Sequence, residues 1–276
     1  MEPRVTIRNP YGLVVSACQG KLYVIAGGKR EVERYDPLLN SWASVKSLKE
    51  KIQFASAVTF QGYLYVIGGV DTDNDNERLN SVCRYNPDAN MWQEVAPLPK
   101  PRSSFCAVAD EKNIYVIGGL RPSGESGVLT KVVEKLNLEE NCWKRTAPTQ
   151  EERRSPGGVN FRNQIFVFGG LRNSNSNGYS CEKYDKDMNI WSAISSPVFA
   201  PGHPPSAVCF NRQIFVFGKF ESDQSDRQNA TLRVYDVDSN EWKPCQNVSY
   251  DIPSFKLSAG RILKEVLEFC EEIPDP

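Results

Sequence analysis

An apolar run that ends in glycine recurs five times along this chain: "LYVIAGG" at 22–28, "LYVIGG" at 64–69, "IYVIGG" at 114–119, "IFVFGG" at 165–170 and "IFVFGK" at 214–219. The starts lie 42, 50, 51 and 49 residues apart. A period of that size means an array of one supersecondary unit, each copy too small to bury its own faces. Behind every run stands an aromatic or apolar residue with a tryptophan seven positions later: Tyr35/Trp42, Tyr85/Trp92, Leu136/Trp143, Tyr184/Trp191 and Tyr235/Trp242. Two residues ahead of each tryptophan is an asparagine, Asn40, Asn90, Asn141, Asn189 or Asn240.

The constant and the variable parts have separate physical meanings. Asparagine tolerates positive φ, and Asp or Asn beside Pro in "YDPLLN" and "YNPDAN" starts a turn. The constant interval therefore predicts a tight hairpin in fixed register. The double glycine lets the chain bend and lets a neighbouring element come close. Most of the length variation falls between the glycines and the aromatic residue, which places a surface loop there. A further short apolar run upstream, such as "FASAVTF", "SFCAVAD" or "PSAVCF", supplies one more strand. Four-stranded sheets result, and packing them around a ring covers their faces and leaves no long open edge. Tyrosine and tryptophan then lie between neighbouring sheets.

Glycine pair, tyrosine and tryptophan in this order resemble the kelch repeat, whose period is about 50 residues. The resemblance spans residues 11–246 in five copies. It implies an all-β fold: a kelch β-propeller of four-stranded antiparallel blades, with five full repeats. Leu136 replaces the tyrosine of the third copy, Lys219 replaces the second glycine of the fifth, and the first is short, with "KREVE" between Gly28 and Arg34. The expectation is a single domain over 1–276, with repeats at approximately 11–49, 50–99, 100–149, 150–198 and 199–247. Residues 1–10 align with "WQEVAPLPKP", and the register past Trp242 predicts strands near 254–259 and 264–269. The termini 1–10 and 248–276 would then build an incomplete sixth blade that closes the ring. The competing reading makes "RILKEVLEFCEE" an amphipathic helix, because Ile262, Val266 and Phe269 recur at helical spacing. The propeller would then be a five-bladed ring with an appended tail. A chain that starts inside a repeat is expected to be a region of a longer protein.

Composition narrows the partners. The 33 basic and 34 acidic residues cancel, so nothing supplies the global basic field that nucleic-acid or membrane-surface binding needs. No run approaches the roughly 18 apolar residues of a membrane span, and "MEPRVTIRNPYG" lacks the apolar core of a signal peptide. Neither nucleic acid nor membrane is expected as a partner. The cysteines at 18, 83, 106, 142, 181, 209, 245 and 270 stand singly without metal spacing and read as buried free thiols of a reducing compartment. The expected location is the cytoplasm, with the nucleus as the alternative.

Catalytic signals are few. The single histidine is His203, in "APGHPPSA", and the glycine pairs end strands where a phosphate loop would open a helix. No cofactor and no catalytic residue is expected. The acidic stretch "DTDNDNE" at 71–77 fails as a calcium loop, having Asn76 at the sixth position and Val82 at the twelfth. Candidate contact residues lie ten to twelve positions after each tryptophan, on the loop entering the next blade: Gln53, Arg102, Arg153, Arg154, His203 and, by register, Tyr11. Arg121 and Arg172 add to them from the loops after the glycines, and Asp71, Asp73 and Asp75 from that of the second copy. One charge-polarised face around the channel is expected, with its guanidiniums suited to an acidic protein or peptide.

The kelch resemblance implies a non-catalytic protein-binding module, most like that of BTB-kelch (kelch-like) proteins. In those proteins upstream BTB and BACK regions engage a cullin scaffold while the propeller captures a substrate for ubiquitination. No residue of this chain supplies that upstream part. The alternatives are an actin-binding cytoskeletal kelch protein and a propeller enzyme, and the single histidine weighs against the enzyme.

Overall fold

The computed structural model of the protein describes residues 13–25, 27–74, 77–124, 127–171, 180–200, 204–220 and 231–249. Among them are five four-stranded antiparallel sheets, each ordered as the chain runs, and no helix. Blade 1 comprises Val14–Cys18, Lys21–Ile25, Val32–Asp36 and Ser41–Val45. Blade 2 comprises Ser56–Phe60, Tyr63–Ile67, Val82–Asn86 and Met91–Glu94. Blade 3 follows with Cys106–Ala109, Asn113–Ile117, Val133–Asn137 and Cys142–Arg145. Blade 4 comprises Gly157–Phe161, Gln164–Phe168, Cys181–Asp185 and Ile190–Ile194. Blade 5 comprises Ser206–Phe210, Gln213–Gly218, Thr231–Asp236 and Glu241–Ser249. The first strands of successive blades meet one another in turn and line the centre. Residues 1–10, 254–259 and 264–269, on which ring closure was expected, lie outside the described residues.

Each apolar run is the second strand of its blade. In blades 1 to 4 its last four residues are all buried, because both faces of the sheet are covered, and this explains why the sequence there does not alternate. In blade 5 the same strand alternates between buried and more exposed positions. Its buried side joins the cluster that holds Phe166, Phe168 and Phe199. The hydrophobic core is therefore a series of inter-blade seams. Val66 and Tyr85 sit between blades 1 and 2, Ile67 and Val116 between 2 and 3, and Ile117 and Val167 between 3 and 4.

The predicted hairpins form. All five asparagines adopt positive φ, from 43° at Asn40 to 57° at Asn240. Each turn is also fastened at its start by the residue after the aromatic position: the side-chain oxygens of Asp36, Asn86, Asn137, Asp185 and Asp236 each accept two backbone N–H groups. The asparagine and tryptophan then clamp the preceding blade. Asn90 Oδ1 accepts the Lys46 N–H at 2.8 Å while the Trp92 indole donates to the Lys46 carbonyl at 2.7 Å. Asn141 with Trp143 grips Ala96, Asn189 with Trp191 grips Ala147, and Asn240 with Trp242 grips Ser195 in the same two-point manner. The constant two-residue spacing between Asn and Trp is what lets the backbone N–H and C=O of one residue both be held.

The double glycine is where two entry loops cross. Gly68 has φ +54°, and a Cβ there would stand 2.5 Å from the Arg102 carbonyl oxygen of the loop entering blade 3. Gly69 has φ +104°, and its Cβ would meet Ile52 at 2.7 Å, on the loop entering its own blade. Both contacts and both dihedrals require glycine.

Candidate functional site

The loops entering the blades gather at the end of the sheets where the glycines stand. Gly28, Gly69 and Gly119 each donate a backbone N–H to one of them, at Ile52, Arg102 and Arg153 respectively. The loops are also joined to each other across the blades. The Ser104 N–H donates to the Phe54 carbonyl at 2.8 Å, and the Ser155 N–H to the Ser104 carbonyl at 2.6 Å. Phe54, Ser104 and Ser155 have φ values of 56°, 52° and 51°, a left-handed conformation that costs about 1–2 kcal/mol for a residue with a Cβ. Three such residues follow one another from the loop entering blade 2 to the loop entering blade 4, and Phe54 is exposed. Each lies twelve residues after a tryptophan, which is the register of His203. That spacing was readable, but the backbone conformation was not, since serine and phenylalanine give no local signal for it.

Arg102 and Arg153 do not present their guanidiniums to a partner, and the expectation that they are contact residues is corrected. They are 0% and 2% exposed. Arg102 donates to the Gly118 and Val132 carbonyls at 3.2 and 3.0 Å and to Glu134 Oε2 at 2.5 Å. Arg153 donates to the Gly169 and Ser180 carbonyls, both at 2.7 Å, and pairs with Glu182. Burial pushes Arg102 down to about 10 against the pull of Glu134, and it remains charged at neutral pH. Arg153 is likewise lowered, first by burial. Each arginine ties the loop entering its blade to the double-glycine turn and to the third strand. At the equivalent places of blade 2 stand Ile52, 3% exposed, and Cys83, whose thiol burial pushes up to about 11. The apolar pair shows that the position serves packing.

The remaining candidates divide. Gln53 and Arg154 are half-buried on the entry loops, where Arg154 bridges to Leu171. Arg121 lies on the loop after the third glycine pair, with 16% of its side chain exposed and its Nη2 at 3.7 Å from Glu134 Oε1. Arg145 approaches the same oxygen at 3.7 Å, so three guanidiniums share the Glu134 carboxylate and the neighbourhood is positive. Arg121 Nε and Nη2 and Arg154 Nε are buried atoms with no hydrogen-bond partner among the described residues. Tyr11, Arg172, His203 and Asp75 lie outside the described residues. Among the described residues no group of His, Cys, Asp and Glu is placed to hold a metal ion.

Asp73 of the acidic loop of blade 2 is paired with Arg30 of blade 1 and Lys51 of the loop entering blade 2, which tempers the expected charge polarisation. Arg30 Nη2 and Lys51 Nζ each reach Asp73 at 2.7 Å, and the Lys51 hydrogen bond leads in holding the carboxyl below its usual range. The three side chains are well exposed, and exposed pairs add little to stability. Asp73→Ala is expected to leave the melting temperature nearly unchanged. A large drop in a thermal melt would make this pair an anchor of the fold. The described cysteines are free, and Cys18, Cys106 and Cys181 are buried. Cys209 is exposed, against expectation, because it lies on the first strand of blade 5, where burial is low throughout.

Comparison with known proteins agrees with this geometry. The family model described as the KLHDC2/KLHL20/DRC7 Kelch-repeats domain matches residues 12–201 and 54–260. The mouse (Mus musculus) Kelch-like protein 23 is 31% identical over 183 residues, covering 64% of this chain and 31% of that protein. The mouse Kelch-like protein 35 is 42% identical over 65 residues, 22% of this chain and 11% of the relative. The F-box/kelch-repeat protein At1g22040 of Arabidopsis thaliana is 40% identical over 65 residues, 22% of this chain and 14% of the relative. The chain thus spans less than a third of the length of these curated relatives. A solved structure titled "Structure of YjhT" superposes with a TM-score of 0.68 at 15% identity, covering 85% of this chain and 84% of that one, and shares the fold.

Proposed function

Because this chain belongs to the kelch-repeat family of β-propellers, we propose that its loop face captures a segment of a partner protein across the channel mouth, as the substrate-recognition domain of a BTB-kelch adaptor for a cullin-RING ubiquitin ligase. The observation that carries the reading is the chain of left-handed residues Phe54, Ser104 and Ser155, hydrogen-bonded from loop to loop. Backbone held in a costly conformation by its surroundings, at the entrance of a channel, is characteristic of a site kept ready for a ligand. Phe54 offers apolar area, and Gln53 adds a side-chain amide beside it.

The partner segment is proposed to be acidic. Arg121 and Arg154 stand half-buried on the loops of this face, and the charge around Glu134 is left positive by three arginines on one carboxylate. A carboxylate or phosphate of the partner would complete that balance with bidentate hydrogen bonds. The cullin would be reached through BTB and BACK regions of the whole protein, in the cytoplasm or nucleus. The loop face itself contributes binding and no chemistry.

The test uses partners recovered by affinity purification with the intact protein. The double variant Arg121→Ala/Arg154→Ala is expected to weaken capture about tenfold, or about 1.4 kcal/mol, with the melting temperature nearly unchanged, and added salt is expected to weaken the wild-type complex. Equal recovery by variant and wild type would move the binding surface off this face. Co-purification of a cullin, lost when the upstream regions are deleted, tests the ligase role separately. Cosedimentation with actin filaments and no cullin would favour the cytoskeletal reading.

A further inference from the structure

Four blades seal the end of their seam with a tyrosine of their own, and one does not. The hydroxyls of Tyr35, Tyr85, Tyr184 and Tyr235 donate to Oδ1 of Asn40, Asn90, Asn189 and Asn240 at 3.0, 2.7, 2.7 and 2.7 Å. Blade 3 has Leu136 in that place, and Asn141 Oδ1 has only the Ala96 N–H, at 3.3 Å, among the described residues. The corresponding bonds in the other seams measure 2.8 to 2.9 Å.

A cleft of about 370 Å³ opens between blades 2 and 3 at this point, with Asn141 in its wall. It lies at the hairpin end of the blades, opposite the double glycines, so it is independent of the loop-face site. Phe60, Tyr63 and Tyr65 supply its aromatic surface, and Tyr65 is 2% exposed with Phe60 edge-on to it at 6.3 Å. Three carboxylates, Glu94, Glu111 and Glu139, line the cleft against the cations of Lys112 and Arg84, and Glu94 lies 3.8 Å from the Lys49 ammonium. The guanidinium of Arg84 is held in place, stacked on Tyr63 and donating twice to the neutral Gln93 amide, so Glu111 and Glu139 are the carboxylates left for a partner cation.

We infer that this cleft takes a tyrosine side chain from a partner segment, with a basic residue beside it. Its hydroxyl donates to Asn141 Oδ1, as the tyrosines of the other blades do to their own asparagines, and its ring lies in the cleft against the aromatic surface of Phe60, Tyr63 and Tyr65 in the edge-on manner that aromatic pairs prefer. The neighbouring lysine or arginine meets Glu111 and Glu139. Leu136 is itself buried in the seam, and its side chain carries no hydroxyl, which leaves Asn141 Oδ1 without the bond its counterparts have.

The test titrates the acetylated and amidated tripeptide Arg-Tyr-Arg into the full chain, reading the Asn141 amide by NMR and the affinity by calorimetry. Wild-type protein is expected to bind it about fivefold more tightly than Arg-Phe-Arg, the loss of one hydrogen bond. Leu136→Tyr, which supplies the hydroxyl from within, is expected to weaken binding about tenfold and to raise the melting temperature. Glu111→Lys with Glu139→Lys is expected to weaken binding by a similar factor without changing the melt, and it decides the matter should Leu136→Tyr fail to fold. Unchanged affinity in the charge-reversal variant or in a folded Leu136→Tyr, equal binding of the tyrosine and phenylalanine peptides, or no binding at millimolar peptide would each overturn the inference. Retained binding by Arg121→Ala/Arg154→Ala is expected, which separates this cleft from the loop face.

Discussion

Arg153→Ala is expected to destabilise the protein by about 3–5 kcal/mol, because it leaves the Glu182 carboxylate buried without its counter-charge. Glu182 is 0% exposed, and its other oxygen accepts the Gln150 N–H at 2.7 Å. Truncation would also strand the Gly169 and Ser180 carbonyls, both of which Arg153 now satisfies, and unsatisfied buried groups carry a desolvation penalty of their own. The ion pair as such is not the source of that stability. Replacing both members, as in Arg153→Met with Glu182→Leu, is expected to recover much of the loss, since a buried pair and an apolar pair of similar size are often near equivalence. Urea unfolding of the single and double variants measures both effects. A single variant within about 0.5 kcal/mol of wild type, the range of an ordinary surface substitution, would return Arg153 to the list of contact residues.

Trp191→Ala is expected to cost about 3–5 kcal/mol as well, the range of a large aromatic truncation in a core. Its ring stacks on Tyr184 with centroids 5.0 Å apart, and its indole donates to the Ala147 carbonyl at 2.9 Å. It is 5% exposed, whereas Trp42, Trp92, Trp143 and Trp242 are half-buried. Trp92→Ala is therefore expected to cost distinctly less, although its indole bond to Lys46 is as short. The tryptophans are equivalent in the repeat but not in the energy they contribute, because burial differs from seam to seam. Equal shifts of the unfolding midpoint for the two variants would show that the clamp, and not the buried area, carries the stability.

The blades were legible because what defines them is local. A hairpin closed within seven residues needs asparagine at one position and an Asp or Asn at another, and Asn90 with Asn86 supplies both whatever the rest of the chain does. The glycine pairs were legible for a related reason, since positive φ leaves a compositional mark. The candidate site was legible only in part. The count from each tryptophan located the entry loops and put Gln53 and Arg154 on them, yet it could not distinguish the buried Arg102, ten residues after Trp92, from the accessible Phe54, twelve residues after Trp42.

That distinction belongs to tertiary structure. Whether an arginine faces solvent or a carboxylate depends on a residue about 30 positions away, Glu134 for Arg102 and Glu182 for Arg153, and the two become neighbours only when the third strand is in place. The strain at Phe54, Ser104 and Ser155 likewise arises only when consecutive entry loops are hydrogen-bonded to each other. The sequence by itself determined the repeat, the hairpins and the four-stranded unit, which depend on bonds within a few residues. Packing of one blade on the next decided which charges are buried and which face a partner, because desolvation is set by everything that surrounds a group and not by its place in the chain.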